Sequence, residues 1–293
     1  MSETPAAPGA AHARALAALH VAVLLFGFAG LFGKWIALPA VTIVLGRAGI
    51  AALALALLRQ FAQAARRDGA TGGFDWRLAS GGAVLALHWV AFFEAIHIAT
   101  VAVALLGFAS FPLFVLLLEA LTRQRRLRGG EWATAALVTA GLLLLVPEFR
   151  LANRIVQGLL WGVLSGFTFA LLAVANRALA ARHAPEAIAL WQNACAAVLL
   201  LPLALAASAI PSAGDLALLV VLGVACTALA HTLFIRSLRA LSAHTASVVA
   251  ALEPVYGIAL AFALLGETPS LRTLAGAALI VGAALLATRA SLR

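Results

Sequence analysis

An all-α integral membrane protein, with ten transmembrane helices arranged as two inverted five-helix repeats, is the fold class this sequence predicts. Three observations predict it: a composition no soluble globule could use, ten apolar runs of membrane-spanning length, and self-similarity across the midpoint of the chain. Of 293 residues, 64% are hydrophobic and only 11% are charged, with a mean hydropathy of +1.06. A soluble domain carries about 25% charged residues, so hardly any segment here is left to serve as a wet face. The formal net charge of +9 would point to nucleic acid in a soluble chain. Here the basic residues sit in short loops between apolar runs, with no basic aromatic stripe. Cys195 and Cys226 fall inside apolar segments, where a reduced, buried thiol is the default.

A hydrocarbon core of about 30 Å takes about 20 helical residues to cross. Inside lipid every backbone polar group must find an internal partner, so runs of this length are helices; barrel strands are shorter and alternate polar with apolar. The first predicted helix covers 16–37. It is longer than the apolar stretch of a signal peptide, lacks a small-residue cleavage site and carries Lys34 and Trp35 at its end, so it is read as retained. Residues 1–14 before it read as a disordered cytoplasmic tail. The second helix, 40–58, follows Pro39 and carries Arg47. The third, 77–97, holds His88, Trp89 and Phe92. The fourth, 99–121, contains Pro112 and runs into the basic stretch TRQRRLRGG, and the fifth, 132–147, is short. The sixth, 156–180, is glycine-rich in its first half, and the seventh, 186–208, follows Pro185. The eighth, 214–235, carries His231. The ninth, 243–265, is interrupted by Glu253-Pro254, where proline frees a carbonyl and distorts the helix. The tenth, 270–288, carries Gly276 and Gly282.

Ten helices put both termini on one side. Fifteen of the basic residues fall on that side, from Arg14 to Arg293, against four on the other: Lys34, Arg150, Arg154 and Arg272. The positive-inside rule then places both termini in the cytoplasm. The halves, 15–150 and 151–293, resemble one another. FPLFVLLLEAL at 111–121 aligns with EPVYGIALAFA at 253–263, setting Pro112 on Pro254; Pro39 and Pro185 superimpose the starts of helices 2 and 7. Five helices per half is an odd number, so the halves insert in opposite orientations. Inverted repeats of this kind let secondary transporters present one central site to either side.

LEPVYGIALAFALLGETPSLRTLAGAALIVGAALL at 252–286 resembles the second-repeat signature of EamA-type transporters in the drug/metabolite transporter superfamily. It has Glu-Pro entering helix 9, Gly266-Glu267 closing it, and a glycine-rich helix 10. Arg47 in helix 2 fits the first repeat. Helix 4 departs from the pattern, lacking Gly-Glu at its matching end. The resemblance implies a ten-helix carrier that exports small metabolites across the bacterial inner membrane. Amino acids are among the family's substrates; nucleotide sugars and sugar phosphates belong to more distant branches. The histidine and aromatic content of the expected cavity leans towards the YddG-like amino-acid exporters.

An ionisable group within a spanning segment is expensive, so each is a functional suspect. Arg47, aligned with Asn193 in the second repeat, either holds a substrate carboxylate or bonds carbonyls of a broken neighbouring helix. His88, with Trp89 beside it and Phe92 a turn on, either lines a cavity or makes an interhelical hydrogen bond, and His231 is its near-symmetric counterpart. Glu253 either binds a substrate ammonium or exchanges protons, or else pairs with a loop arginine such as Arg239. Trp161, Ser165, Trp191 and Tyr256 are candidate lining residues by depth alone. Trp35, Trp76 and Trp132 sit at run ends and read as interfacial belt. Gly27, Gly30 and Gly33, with Gly158, Gly162 and Gly166, form small-residue strings that let helices approach closely.

An intramembrane enzyme would need a nucleophile–base set, paired aspartates or a metal cluster. The three aspartates lie in loops, no HExxH, GxSxG or Walker motif occurs, and no two histidines stand four apart. A channel would have no need of two inverted halves. The expected partners are a small-molecule substrate and membrane lipid, without nucleic acid, cofactor or metal. The Gly/Ala-rich helices 5 and 10 offer a seam for a homodimer.

Overall fold

A computed structural model describes residues 8–66, 76–122, 129–145 and 150–291. Among them there is no strand. Eight helices are long and apolar enough to cross a membrane: α1 (Pro8–Trp35), α2 (Ala40–Arg66), α3 (Trp76–Ile98), α4 (Val101–Thr122), α6 (Arg154–Leu179), α7 (Pro185–Ala206), α8 (Ala213–Ser237) and α9 (Ala243–Leu265). Two further helices, α5 (Gly129–Leu145) and α10 (Leu271–Ser291), whose apolar stretches Gly129–Leu145 and Leu271–Ala283 are shorter, complete the set. Each predicted run carries one of these helices. The largest shift in a start is in α1, which begins at Pro8 rather than at 16 and so takes up part of the segment read as a tail. Residues 1–7 of that segment lie outside the described residues.

Their outward faces are apolar, with Leu53, Val198 and Phe262 each more than half exposed. Such a surface suits lipid, not water. This is a multi-pass membrane protein.

Three helices are interrupted, each for a visible reason. α4 breaks at Ala109–Ser110 between its segments Val101–Phe108 and Phe111–Thr122, and Pro112 follows at once. Proline cannot donate to the preceding turn, and the Ser110 hydroxyl donates to Gly107 O at 2.8 Å across the break. α9 breaks at Ala251–Leu252 between Ala243–Ala250 and Glu253–Leu265, where Pro254 acts in the same way. α8 holds a π-helical turn, Val224–Leu229, flanked by Ala213–Gly223 and Ala230–Ser237. Thr227 Oγ1 donates back to Leu222 O of the preceding segment at 2.7 Å.

α1 packs against α8 and α9, while α6 packs against α3 and α4. Glycine makes both crossings possible. A Cβ at Gly162 would stand 2.9 Å from Ala104 O and 3.0 Å from Gly107 Cα, and one at Gly27 would stand 3.0 Å from Gly257 N. α5 packs against α10 through Gly141 and Gly276. These two glycines are therefore used within one chain, while Leu143 and Leu274 on the same helices stay exposed.

Charged side chains close both ends of the bundle. At one end Lys34 donates to Ala99 O at 3.1 Å, Arg154 to Ile98 O at 2.8 Å, and Val101 N to the Glu267 carboxylate at 3.1 Å. At the other, Arg177 donates to Leu238 O, Arg239 to Ala180 O and His183 O, and Arg236 pairs with Glu186. Trp76 and Trp132 stand exposed at helix starts, while Trp35 packs edge-on against Phe28 and Phe32. Glu267 supplies an anionic cap to α4, alongside the Thr100 side chain that accepts from Val103 N. Replacing Glu267 by alanine should cost about 1 kcal/mol, read as a lowered unfolding temperature of the purified protein.

Candidate functional site

The interruptions in α4, α8 and α9 lie around one cavity. Its walls come from seven helices: Phe26 and Ala29 of α1, Arg47 of α2, Leu85, His88, Trp89 and Phe92 of α3, Phe108 of α4, Phe169 of α6, His231 of α8 and Glu253 of α9. Polar groups this deep are confined to the protein interior because lipid cannot satisfy them.

Arg47 is 2% exposed. Its Nε donates to Thr227 Oγ1 at 2.9 Å and its Nη2 to Cys226 O at 3.4 Å. Both partners belong to the π-helical turn of α8, whose widened geometry turns a carbonyl towards the guanidinium. The guanidinium carbon lies 4.0 Å from the centroid of the Trp89 ring, a cation–π contact that a planar arginine favours. Arg47 thus ties down a broken helix and at the same time lines the cavity.

Glu253 is 3% exposed and opens the second segment of α9. Its Oε2 has no hydrogen-bond partner. Among the described residues no ion pair joins it to Arg47, and Arg239 is engaged elsewhere. Among the described residues Glu253 makes no pair with a loop arginine.

His88 presents Nδ1 to Ser165, 2.9 Å from both its carbonyl and its hydroxyl oxygen, and its ring stacks on Phe169 with centroids 4.9 Å apart. His231 stands 143 residues later and lines the same cavity. Its Nδ1 is 3.4 Å from Asn193 Nδ2, its Nε2 has no partner, and its ring meets Trp89 edge-on at 6.0 Å.

Of the residues proposed from sequence, Arg47, His88, Trp89, Phe92, His231 and Glu253 line the cavity. Ser165 and Asn193 stand behind the two histidines as their partners. Trp161, Trp191 and Tyr256 do not line it. Trp161 packs on the core beside the α4–α6 crossing, Trp191 against a separate cluster that includes Ile188 and Ile235, and Tyr256 where α9 crosses α1 at Gly27. Sequence reasoning missed Phe26, Phe108 and Phe169. A signal existed for two of them: Phe26 and Phe169 are 143 residues apart, the spacing that relates His88 to His231.

Comparison with known proteins bears on this geometry. Residues 13–146 and 156–289 each match the model of the EamA-like transporter family. Over 258 residues the chain is 31% identical to the pseudopaline exporter CntI of Pseudomonas aeruginosa (strain UCBPP-PA14), covering 86% of this chain and 87% of that protein. It is 26% identical over 198 residues to an uncharacterized transporter of Archaeoglobus fulgidus, covering 68% and 71%. A solved structure, described as the crystal structure of a protein, superposes with a TM-score of 0.71 at 24% identity, covering 94% of this chain and 98% of that one.

Proposed function

The chain belongs to the EamA-like transporter family, and from that premise we propose that it is a secondary transporter of amino acids. In this reading it exports aromatic and neutral amino acids across the bacterial inner membrane. The observation that carries the reading is a buried cation and a buried carboxyl, Arg47 and Glu253, lining one cavity without pairing with each other. An α-amino acid supplies the missing charges: its carboxylate meets the guanidinium, its ammonium meets Glu253, and its side chain lies among Phe26, Phe92, Phe108 and Phe169. One cation balanced by one carboxyl suits a zwitterion better than a sugar phosphate, whose dianion would call for a cluster of basic groups.

Alternating access follows from the same reading. Two halves of five helices, each matched by the family model, are inserted in opposite orientations, with both termini in the cytoplasm by the excess of arginine on that side. The cavity then opens to either face as the α1–α8–α9 group rocks against α3–α4–α6.

Counterflow in proteoliposomes tests the proposal. Vesicles loaded with unlabelled tryptophan, phenylalanine, methionine or threonine should accumulate the labelled amino acid transiently and saturably. Well-folded protein that exchanges none of them would overturn the amino-acid reading while leaving family membership untouched.

A further inference from the structure

We infer that His88 and His231 are held in opposite tautomers, and that His88 thereby selects amino acids whose aromatic ring carries an N–H or O–H donor. The inference rests on the amino-acid reading above and goes beyond it to the side chain.

The tautomers follow from what each Nδ1 faces. The carbonyl of Ser165 only accepts, and at 2.9 Å from His88 Nδ1 it favours a hydrogen on that nitrogen over the alternative in which the Ser165 hydroxyl, also at 2.9 Å, donates to it. A neutral His88 then carries a lone pair on Nε2. Nδ1 is turned towards α6, so the opposite edge of a ring that lines the cavity is the edge that meets the ligand. His231 is the reverse case. Asn193 Nδ2 donates to Ala189 O at 2.8 Å, which fixes the amide orientation and leaves the second Nδ2 hydrogen for His231 Nδ1 at 3.4 Å. That nitrogen is then an acceptor, and the hydrogen of a neutral ring sits on Nε2, which has no partner in the protein.

These two edges give the cavity a direction. His231 and Arg47 both touch the Trp89 ring, so the unpartnered N–H and the guanidinium together form the donor side, where a carboxylate belongs. His88 lies against Phe169 and Phe108, with ring centroids 4.9 and 5.7 Å away. There a planar side chain would stack beside a single acceptor. An indole or phenol satisfies that acceptor; a phenyl ring or thioether leaves it bare. An unsatisfied buried polar group costs about 1–3 kcal/mol, or about 5–150-fold in affinity.

The test is competition against labelled tryptophan in counterflow. The competitor is 3-benzothienylalanine, in which sulfur replaces the ring N–H with little change of shape. For the wild-type protein its half-inhibiting concentration should exceed that of unlabelled tryptophan at least about 5-fold. In His88→Phe, which retains an aromatic ring, that ratio should fall towards one whatever the absolute rate. Equal competition by the two compounds in the wild type would overturn this inference and leave amino-acid transport standing. No exchange of any amino acid would overturn both. Should His88→Phe fail to fold, the wild-type ratio alone decides.

Discussion

Replacing Arg47 by alanine is expected to abolish saturable exchange, with substrate affinity reduced at least about 100-fold, in protein that still inserts. The size of the effect follows from what the guanidinium does. Each hydrogen bond from a charged donor contributes about 1.5–3 kcal/mol, and a bidentate grip on a carboxylate uses two. Its loss also leaves Cys226 O and Thr227 Oγ1 without their donor and uncovers the Trp89 ring. Lysine should not restore function, because a single ammonium cannot reach the π-helical turn, lie flat on Trp89 and fork towards a ligand at once. Counterflow rates and a substrate-dependent rise in unfolding temperature measure the two consequences separately. Retained affinity in Arg47→Ala would assign the residue to the protein's architecture alone.

The second large effect is expected far from any ligand. Gly162→Leu should destabilise the protein by about 1–3 kcal/mol or more, seen as a lowered unfolding temperature and poor recovery from detergent. The obstacles to a Cβ there are Ala104 O and Gly107 Cα, at 2.9 and 3.0 Å. Both are backbone atoms, which cannot swing aside as the tip of a side chain can. Gly282→Ala is the matched control, since a Cβ at that position meets nothing within 4 Å. It should be close to silent. Equal behaviour of the two variants would remove the close α4–α6 approach as a determinant of stability.

The helices were legible in the sequence because a membrane writes its thickness into the length of every apolar run. The break in α9 was legible too, since Pro254 lacks the donor that a continuous helix needs; Pro112 carries the same signal for α4, where it served only to mark the repeat. Arg47, His88, His231 and Glu253 could be picked out because lipid confines polar groups to the interior. The aromatic residues could not, apart from Trp89 and Phe92, which stand beside His88 and one turn on from it. A phenylalanine or tryptophan facing lipid and one facing a cavity are equally apolar, so depth can be read from sequence while the direction a ring faces cannot. Trp161, Trp191 and Tyr256 have the right depth and the wrong direction; Phe26, Phe108 and Phe169 have both. The π-helical turn of α8 left no mark either, for VACTAL contains neither proline nor glycine.

That turn has a consequence for chain length. A π-helical turn accommodates one residue more than the α-helix would, and each residue advances a helix by about 100°. Deleting a single residue between Val224 and Leu229 would leave an unbroken apolar helix of nearly the same length. The direction faced by everything beyond it, His231 included, would be nearly unchanged, because the widened turn had absorbed the extra residue. What would be lost is the carbonyl that this turn offers to Arg47. Two relatives that differ by one residue there can thus present the same downstream side chains while only one of them anchors the guanidinium.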